Sequence, residues 1–263
     1  MLSYQHAYHA GNLADVHKHA VLSSCLDYMT RKNKPLSYLE THAGRGLYDL
    51  SGVESQRTGE AAAGILRLRD LFAADHPYMR AQRAVQARHG AAAYGGSPLI
   101  AAALLREGDR IDLAELHPQE HAALVAAMAD AVPAVHVHRR DGAAMALALA
   151  PPEPRRGLAL IDPSWELKED YARIPDLVRK LHRKWNVGVL LLWYPILRDG
   201  PHRAMVDGLV AVIPEGVVHE VAFAPAREGH RMEGSGLFIV NPPWGIADEL
   251  ALLSARFAAL TRQ

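Results

Sequence analysis

The stretch GLALIDPSWELKEDYARIPDLVRKLHRKWNVGVLLLWY at 157–194 decides the fold. It opens on an aliphatic run, GLALID (157–162), passes through YARIPDLVRKLHRKW (171–185), whose apolar residues recur at helical spacing, and closes on a second run, VGVLLLWY (187–194). A strand with one face in water alternates apolar and polar residues. These two runs are apolar throughout, as strands buried on both faces must be. Strand, helix and strand of this kind form the unit of a parallel sheet with helices on both sides.

The same rhythm extends outward. SYLET (37–41), DLAEL (112–116), AVHVHRR (134–140), VVHEVAF (217–223) and GLFIVN (236–241) read as further strands, and HAALVAAMADA (121–131) as a helix. The expected architecture is a doubly wound α/β fold with a mostly parallel seven-stranded sheet. The last two runs are joined by PAREGHRMEGS, too short for a helical crossover, which predicts a hairpin and an antiparallel final strand. About 70 residues (42–111) separate the first two strands, and within them EAAAGILRLRDLF (60–72) and HPYMRAQRAVQARHG (76–90) read as helices. Residues 50–95 are therefore expected to form a small helical insertion within one domain covering 1–263.

Composition narrows the classes. With 49% hydrophobic and 22% charged residues the chain matches an ordinary globular protein with one large core. No apolar run nears the roughly 20 residues of a membrane span, and MLSYQHAYHAG lacks the layout of a signal peptide, so a cytoplasmic protein is expected. The single Cys25 reads as a small core residue. Lys+Arg 29 against Asp+Glu 29 cancel, so a polyanion would have to be held by a local patch. The arginines at 67, 69, 80, 83 and 88, and Arg179, Lys180, Arg183 and Lys184, are either that patch or solvated helix faces. There is no Walker pattern and no G-x-G-x-x-G, which disfavours nucleotide-triphosphate and nicotinamide enzymes.

In open α/β sheets ligands bind beyond the carboxyl ends of the strands. The first strand leads into ETHAGRG (40–46), where two glycines let the backbone approach a ligand and His42 is either a ligand contact or a loop histidine bonded to backbone. Glu115, Asp141 with Gly142 after it, and Asp162 stand at three consecutive strand ends. Together they point to a site for an adenosyl group with an amino-acid tail, although each alone fits a turn or a cap. Ser97 before Pro98 reads as a helix N-cap whose terminus could also receive a carboxylate.

The loop DPSW (162–165) suits a flat amine. The exocyclic nitrogen of adenine is a poor nucleophile because its lone pair is delocalised. The Asp162 carboxylate and the Pro163 carbonyl could accept its two hydrogens, and Trp165 could stack on the purine, worth about 1–3 kcal/mol. NPPW (241–244) looks similar, but it follows the strand expected to be antiparallel, so topology selects Asp162. The histidine pairs His6/His9 and His17/His19 carry no cysteine cluster or HExxH, and no metal is expected.

DPSW resembles the (Asp/Asn/Ser)-Pro-Pro-aromatic signature of S-adenosylmethionine-dependent methyltransferases acting on exocyclic amines. With LSYQHAYHAGNLADVHKH (2–19), YLETHAGRGLY (38–48), RTGE (57–60), GGSPLIA (95–101), ELHP (115–118), RRGLALIDP (155–163), LWYP (192–195) and NPPW, the chain is similar throughout to the bacterial 23S rRNA adenine-N6 methyltransferase family. The resemblance implies a Rossmann-like class I methyltransferase with a helical insertion. It implies that His19, His42, Ser97, Glu115, Asp141, Gly142 and Asp162 contact S-adenosylmethionine, with His19 closing over it where a surface histidine is the plain alternative. It further implies that Asp162 accepts the proton and that Tyr4 and Lys18 face 23S rRNA. The protein is separately expected to be a monomer. Ser164 departs from the signature, where a second proline is usual, and a less rigid loop is expected. Two other readings stay open: a methyltransferase acting on DNA adenine or a glutamine amide, and a non-catalytic RNA-binding assembly protein.

Overall fold

Five of the apolar runs lie side by side and parallel in the computed structural model, which describes residues 6–225, 229 and 231–260. In chain order the elements are α1 (Leu13–Thr30), β1 (Ser37–Glu40), β2 (Leu47–Asp49), α2 (Val53–Thr58), α3 (Glu60–Ala63), α4 (Ile65–Leu68), α5 (Pro77–His89), β3 (Ala93–Gly95), α6 (Ser97–Leu104) and β4 (Arg110–Ala114). They continue with α7 (Pro118–Met128), β5 (Ala134–His138), α8 (Gly142–Leu149), β6 (Gly157–Ile161), α9 (Asp170–Lys184), β7 (Val189–Leu197), α10 (His202–Val212), β8 (Val217–Ala222), β9 (Met232–Val240) and α11 (Ile246–Leu260).

The main sheet has the order β5-β4-β1-β6-β7-β9-β8. As the short connection requires, β9 is antiparallel to β8, and it inserts between β8 and β7, antiparallel to both. Successive residues of the central strands face opposite layers. Tyr38, Ile111, Leu158 and Leu191 join α1, α6 and α11 in one core, whereas Leu39, Ala159, Leu190 and Leu192 join α8, α9 and α10 in the other. The chain leaves β1 toward β4 on one side and returns through β6 on the other, so a crevice opens above the carboxyl ends of β1 and β6. Cys25 is fully buried, as a core residue.

Between β1 and β4 the structure differs in part from expectation. The run 60–72 is not one helix: it breaks at Gly64 into α3 and α4 and ends in a 3-10 turn. The cause is close approach, because a Cβ on Gly64 would lie 2.1 Å from the Gly11 carbonyl oxygen. Helices α2 to α5 are bracketed by β2 and β3, an antiparallel pair that three-residue segments such as LYD and AYG are too short to announce. The α1 helix is buried on nearly every side. Asn12 caps it, accepting a hydrogen bond from the Asp15 amide at 2.9 Å, and Val16, Leu22 and Leu26 carry its packing.

Candidate active site

A cavity of about 850 Å³ lies over the carboxyl ends of β1, β4, β5 and β6. Glu115, Asp141 and Asp162 all line it, together with Lys18, His42 and Ser97. Parallel strands bring about this meeting, because each acid is the residue or nearly the residue at which its strand stops pairing. By contrast NPPW sits at the other end of the sheet. The Asn241 amide donates to the carbonyl of Gly188 at 2.8 Å, just before β7 begins, and Trp244 is 83% exposed there.

Two of the acids are held by backbone amides. Glu115 accepts from Gly44 N at 2.9 Å and from His117 N at 2.7 Å, which aims its carboxylate into the mouth of the cavity. Asp141 caps α8 by accepting from Ala144 N at 2.8 Å. Gly142 follows with no room for a side chain, since a Cβ would lie 1.8 Å from the Thr41 oxygen. Each acid retains lone pairs toward the cavity, as hydroxyl or amine donors of a nucleoside require.

Asp162 is held by a cation. Lys18 on α1 donates to Asp162 Oδ2 at 2.5 Å and lies 3.0 Å from Asp15 Oδ1, with its ammonium 5.4 Å from the centre of the Trp193 ring. Burial alone would push the Lys18 ammonium down, but the Asp162 and Asp15 carboxylates outweigh it and raise the pKa above the ordinary range. Burial would likewise raise Asp15, yet His6 and Lys18 hold its carboxyl well below the usual value.

Several sequence expectations need correction. Ser97 is not the N-cap: Gly96 takes that place without a side-chain cap, and the Ser97 hydroxyl donates to the buried Glu40 carboxyl at 2.5 Å. A buried carboxyl with no water is the stronger attraction for the hydroxyl. His19 does not lie on a helix surface but among the buried residues that line the cavity. It is a buried wall residue hydrogen-bonded to the Tyr94 hydroxyl at 2.8 Å, and burial pushes it down to about 3, so it is neutral. The His42 ring bonds the Thr41 hydroxyl at 2.8 Å instead of backbone, and burial lowers it too. The Trp165 ring is 7% exposed, packs on Tyr171 at 4.8 Å and donates to the Trp193 carbonyl at 3.2 Å, which leaves it little open face for a base. Ser164 is exposed, and Tyr4 lies outside the described residues.

The basic runs also look different in three dimensions. Arg80 pairs with Asp27 at 2.5 Å, Arg88 with Asp130 at 2.8 Å, and Lys180 with Asp176 at 2.5 Å, while Arg179 shares that aspartate. Their charge is thus partly spent within the protein. The histidine pairs likewise have protein partners: His6 meets Asp15, His9 meets Glu60, and His17 meets His219 at 2.8 Å.

Glu40 and Asp15 were not anticipated. Glu40 ends β1 fully buried, bonded to the Tyr38 and Ser97 hydroxyls, and burial raises its carboxyl to about 8. An acid closing an apolar strand directly before THAG was the available signal. Between about pH 4.5, the ordinary value, and about 8 the folded protein holds a proton that the unfolded chain has released, so stability falls as pH rises through that window. Glu40→Gln cannot titrate. Its stability relative to the parent is expected to be greater at pH 9 than at pH 5 in urea unfolding, and a difference that stays constant would refute the buried-acid reading.

The chain is similar to known proteins along most of its length. A family model described as ribosomal RNA large subunit methyltransferase D, RlmJ, matches residues 33–259. The ribosomal RNA large subunit methyltransferase J of Escherichia coli is 38% identical over 95% of this chain and 90% of its own length. That of Haemophilus influenzae is 38% identical over the same shares. A crystal structure of a Legionella pneumophila protein superposes with a TM-score of 0.86 at 34% identity, covering 96% of this chain and 94% of that one.

Proposed function

Because the chain belongs to the RlmJ family of ribosomal RNA large subunit methyltransferases, we propose that it transfers a methyl group from S-adenosylmethionine to N6 of one adenine in 23S rRNA. Residues 1–263 would form a single methyltransferase domain carrying 50–95 as its helical insertion. The observation that supports the reading most is Asp162, set in the cavity with Oδ2 on Lys18 and no partner for Oδ1 among the described residues.

The cavity fits the donor. Its volume lies within the range of small-molecule sites, and it brings together acceptors for a ribose, for an adenine amine and for an ammonium. Glu115 would take the ribose hydroxyls, Asp141 beside Gly142 the adenine of the donor, and Ser97, with the α6 N-terminus, its carboxylate, while His19 and His42 close the wall. S-adenosylmethionine, when bound, supplies a methyl carbon activated by a positive sulfur. The target adenine must leave its stack to reach that carbon. Asp162 Oδ1 and the Pro163 carbonyl then accept the two amine hydrogens and localise the lone pair on N6. Asp162 would then be placed to take the surplus proton that the nitrogen would carry once methylated. Holding the amine in line at near-contact distance is worth about 7–11 kcal/mol. Trp165 shapes the wall, and Lys18 holds Asp162 at the slot where the rRNA base would enter.

Competing labelled-methyl assays on rRNA, DNA and protein test the acceptor. Label is expected in rRNA with release of S-adenosylhomocysteine, and one N6-methyladenine is expected to vanish from 23S rRNA in cells lacking the gene. Label in DNA or protein alone, or rRNA binding without turnover, would replace this reading.

A further inference from the structure

We propose that Asp15 is a positioning residue for methyl transfer: it divides the charge of Lys18 with Asp162, so that Asp162 keeps one oxygen and enough basicity for the adenine amine. This rests on the function proposed above. Lys18 is 4% and Asp15 1% exposed, so neither charge is answered by water. A buried ammonium requires counter-charge, and Lys18 has two carboxylates within 3.0 Å. With only Asp162 as partner, the pair would be neutral and the carboxylate strongly stabilised. Asp15 gives the ammonium a second carboxylate, so that Asp162 does not carry the whole of its charge.

That sharing matters for the proton. The amine becomes cationic as the methyl arrives, and a carboxylate that shares its cation with a second acid receives the proton more readily than one that holds the cation alone. Asp15 is itself fixed. Its Oδ2 accepts from the Gly11 amide at 2.9 Å and meets His6 Nε2 at 2.9 Å, leaving Oδ1 aimed at Lys18. Glu40 and Tyr38 on β1 and His42 after it also face Asp162, and His6, His19, Tyr78 and Tyr94 also face Asp15. Among these, Glu40 stays protonated to about pH 8, burial keeps His19 and His42 neutral, and His6 lies on the other oxygen of Asp15, so Lys18 is the cation that Asp15 and Asp162 share.

The test is single-turnover methylation of a 23S rRNA transcript by the full chain over roughly pH 5–9. Asp15→Asn is nearly isosteric and keeps an acceptor for Gly11. It is expected to slow transfer about 10- to 100-fold with donor KM changed less than about twofold, and to move the acid limb of kcat to lower pH, because Asp162 becomes the weaker base. In a Lys18→Met background the same change should cost less than about twofold more. A uniform loss at every pH with the limb unmoved, or full additivity with Lys18→Met, would overturn the proposal. Should Asp15→Asn not fold, the parent crystallised with adenosine and S-adenosylhomocysteine decides: Lys18 Nζ is expected within hydrogen-bond reach of Asp15 Oδ1, and a lysine withdrawn from Asp15 would overturn it. A parent protein that fails to methylate rRNA sinks the proposed function instead, and the two failures are thereby told apart.

Discussion

Replacing Asp162 by alanine is expected to slow methylation of 23S rRNA by about 10³-fold or more. On the proposed function the carboxylate would supply both an acceptor that localises the amine lone pair and the base that removes its proton, and the neighbouring acids are engaged elsewhere. Glu40 is bonded to two hydroxyls below the floor of the cavity, and Asp141 is occupied in capping α8. The variant should fold, because Lys18 still has Asp15 at 3.0 Å as a counter-ion. Single-turnover transfer with saturating donor, together with donor binding by calorimetry, separates the two effects. A transfer rate within tenfold of the parent would remove Asp162 from the chemistry.

Gly142→Ala is expected to destabilise the fold by about 3 kcal/mol, the upper end for overpacking. The added methyl would sit 1.8 Å from the Thr41 oxygen and 2.6 Å from its carbonyl carbon. Both are backbone atoms at the end of the central strand, where rotation of a side chain cannot relieve the clash. Helix α8 would have to back away, taking Asp141 with it and disturbing Thr41 and His42. Donor affinity should therefore fall along with the urea midpoint. Unfolding curves that shift by less than about 1 kcal/mol would show that the helix can yield at that point.

Aliphatic runs made the five inner strands readable in sequence, because burial on both faces leaves a pattern that does not depend on the rest of the chain, while β5 and β8 at the edges are half exposed and the short connection announced the reversed last strand. The strand ends then placed Glu115, Asp141 and Asp162 around one cavity. What could not be read depended on partners far away in sequence. Gly64 breaks a helical pattern only because Gly11 lies against it, and Ser97 abandons its cap only because Glu40 waits beneath. The arginines of the insertion left a phosphate patch and a solvated helix face both open, and Arg80 and Arg88 meet Asp27 and Asp130, outside their own segment. Asp15 was within reach of inspection, since three residues along a helix separate it from Lys18 on the same face.

Helix α1 fastens the beginning of the chain to its end. His17 bonds Ser235 on β9 and His219 on β8, which in turn bonds Ser254 on α11, while Lys18 on the next position reaches Asp162. A ribosome that has made only the first half of the protein has therefore exposed a lysine and a histidine destined for burial, with Asp15 beside the lysine but Asp162, Ser235 and His219 still to come. Competence arrives late and all at once. A chain cut short before its last two strands would lose the anchorage of α1, and with it the grip on the reactive carboxylate.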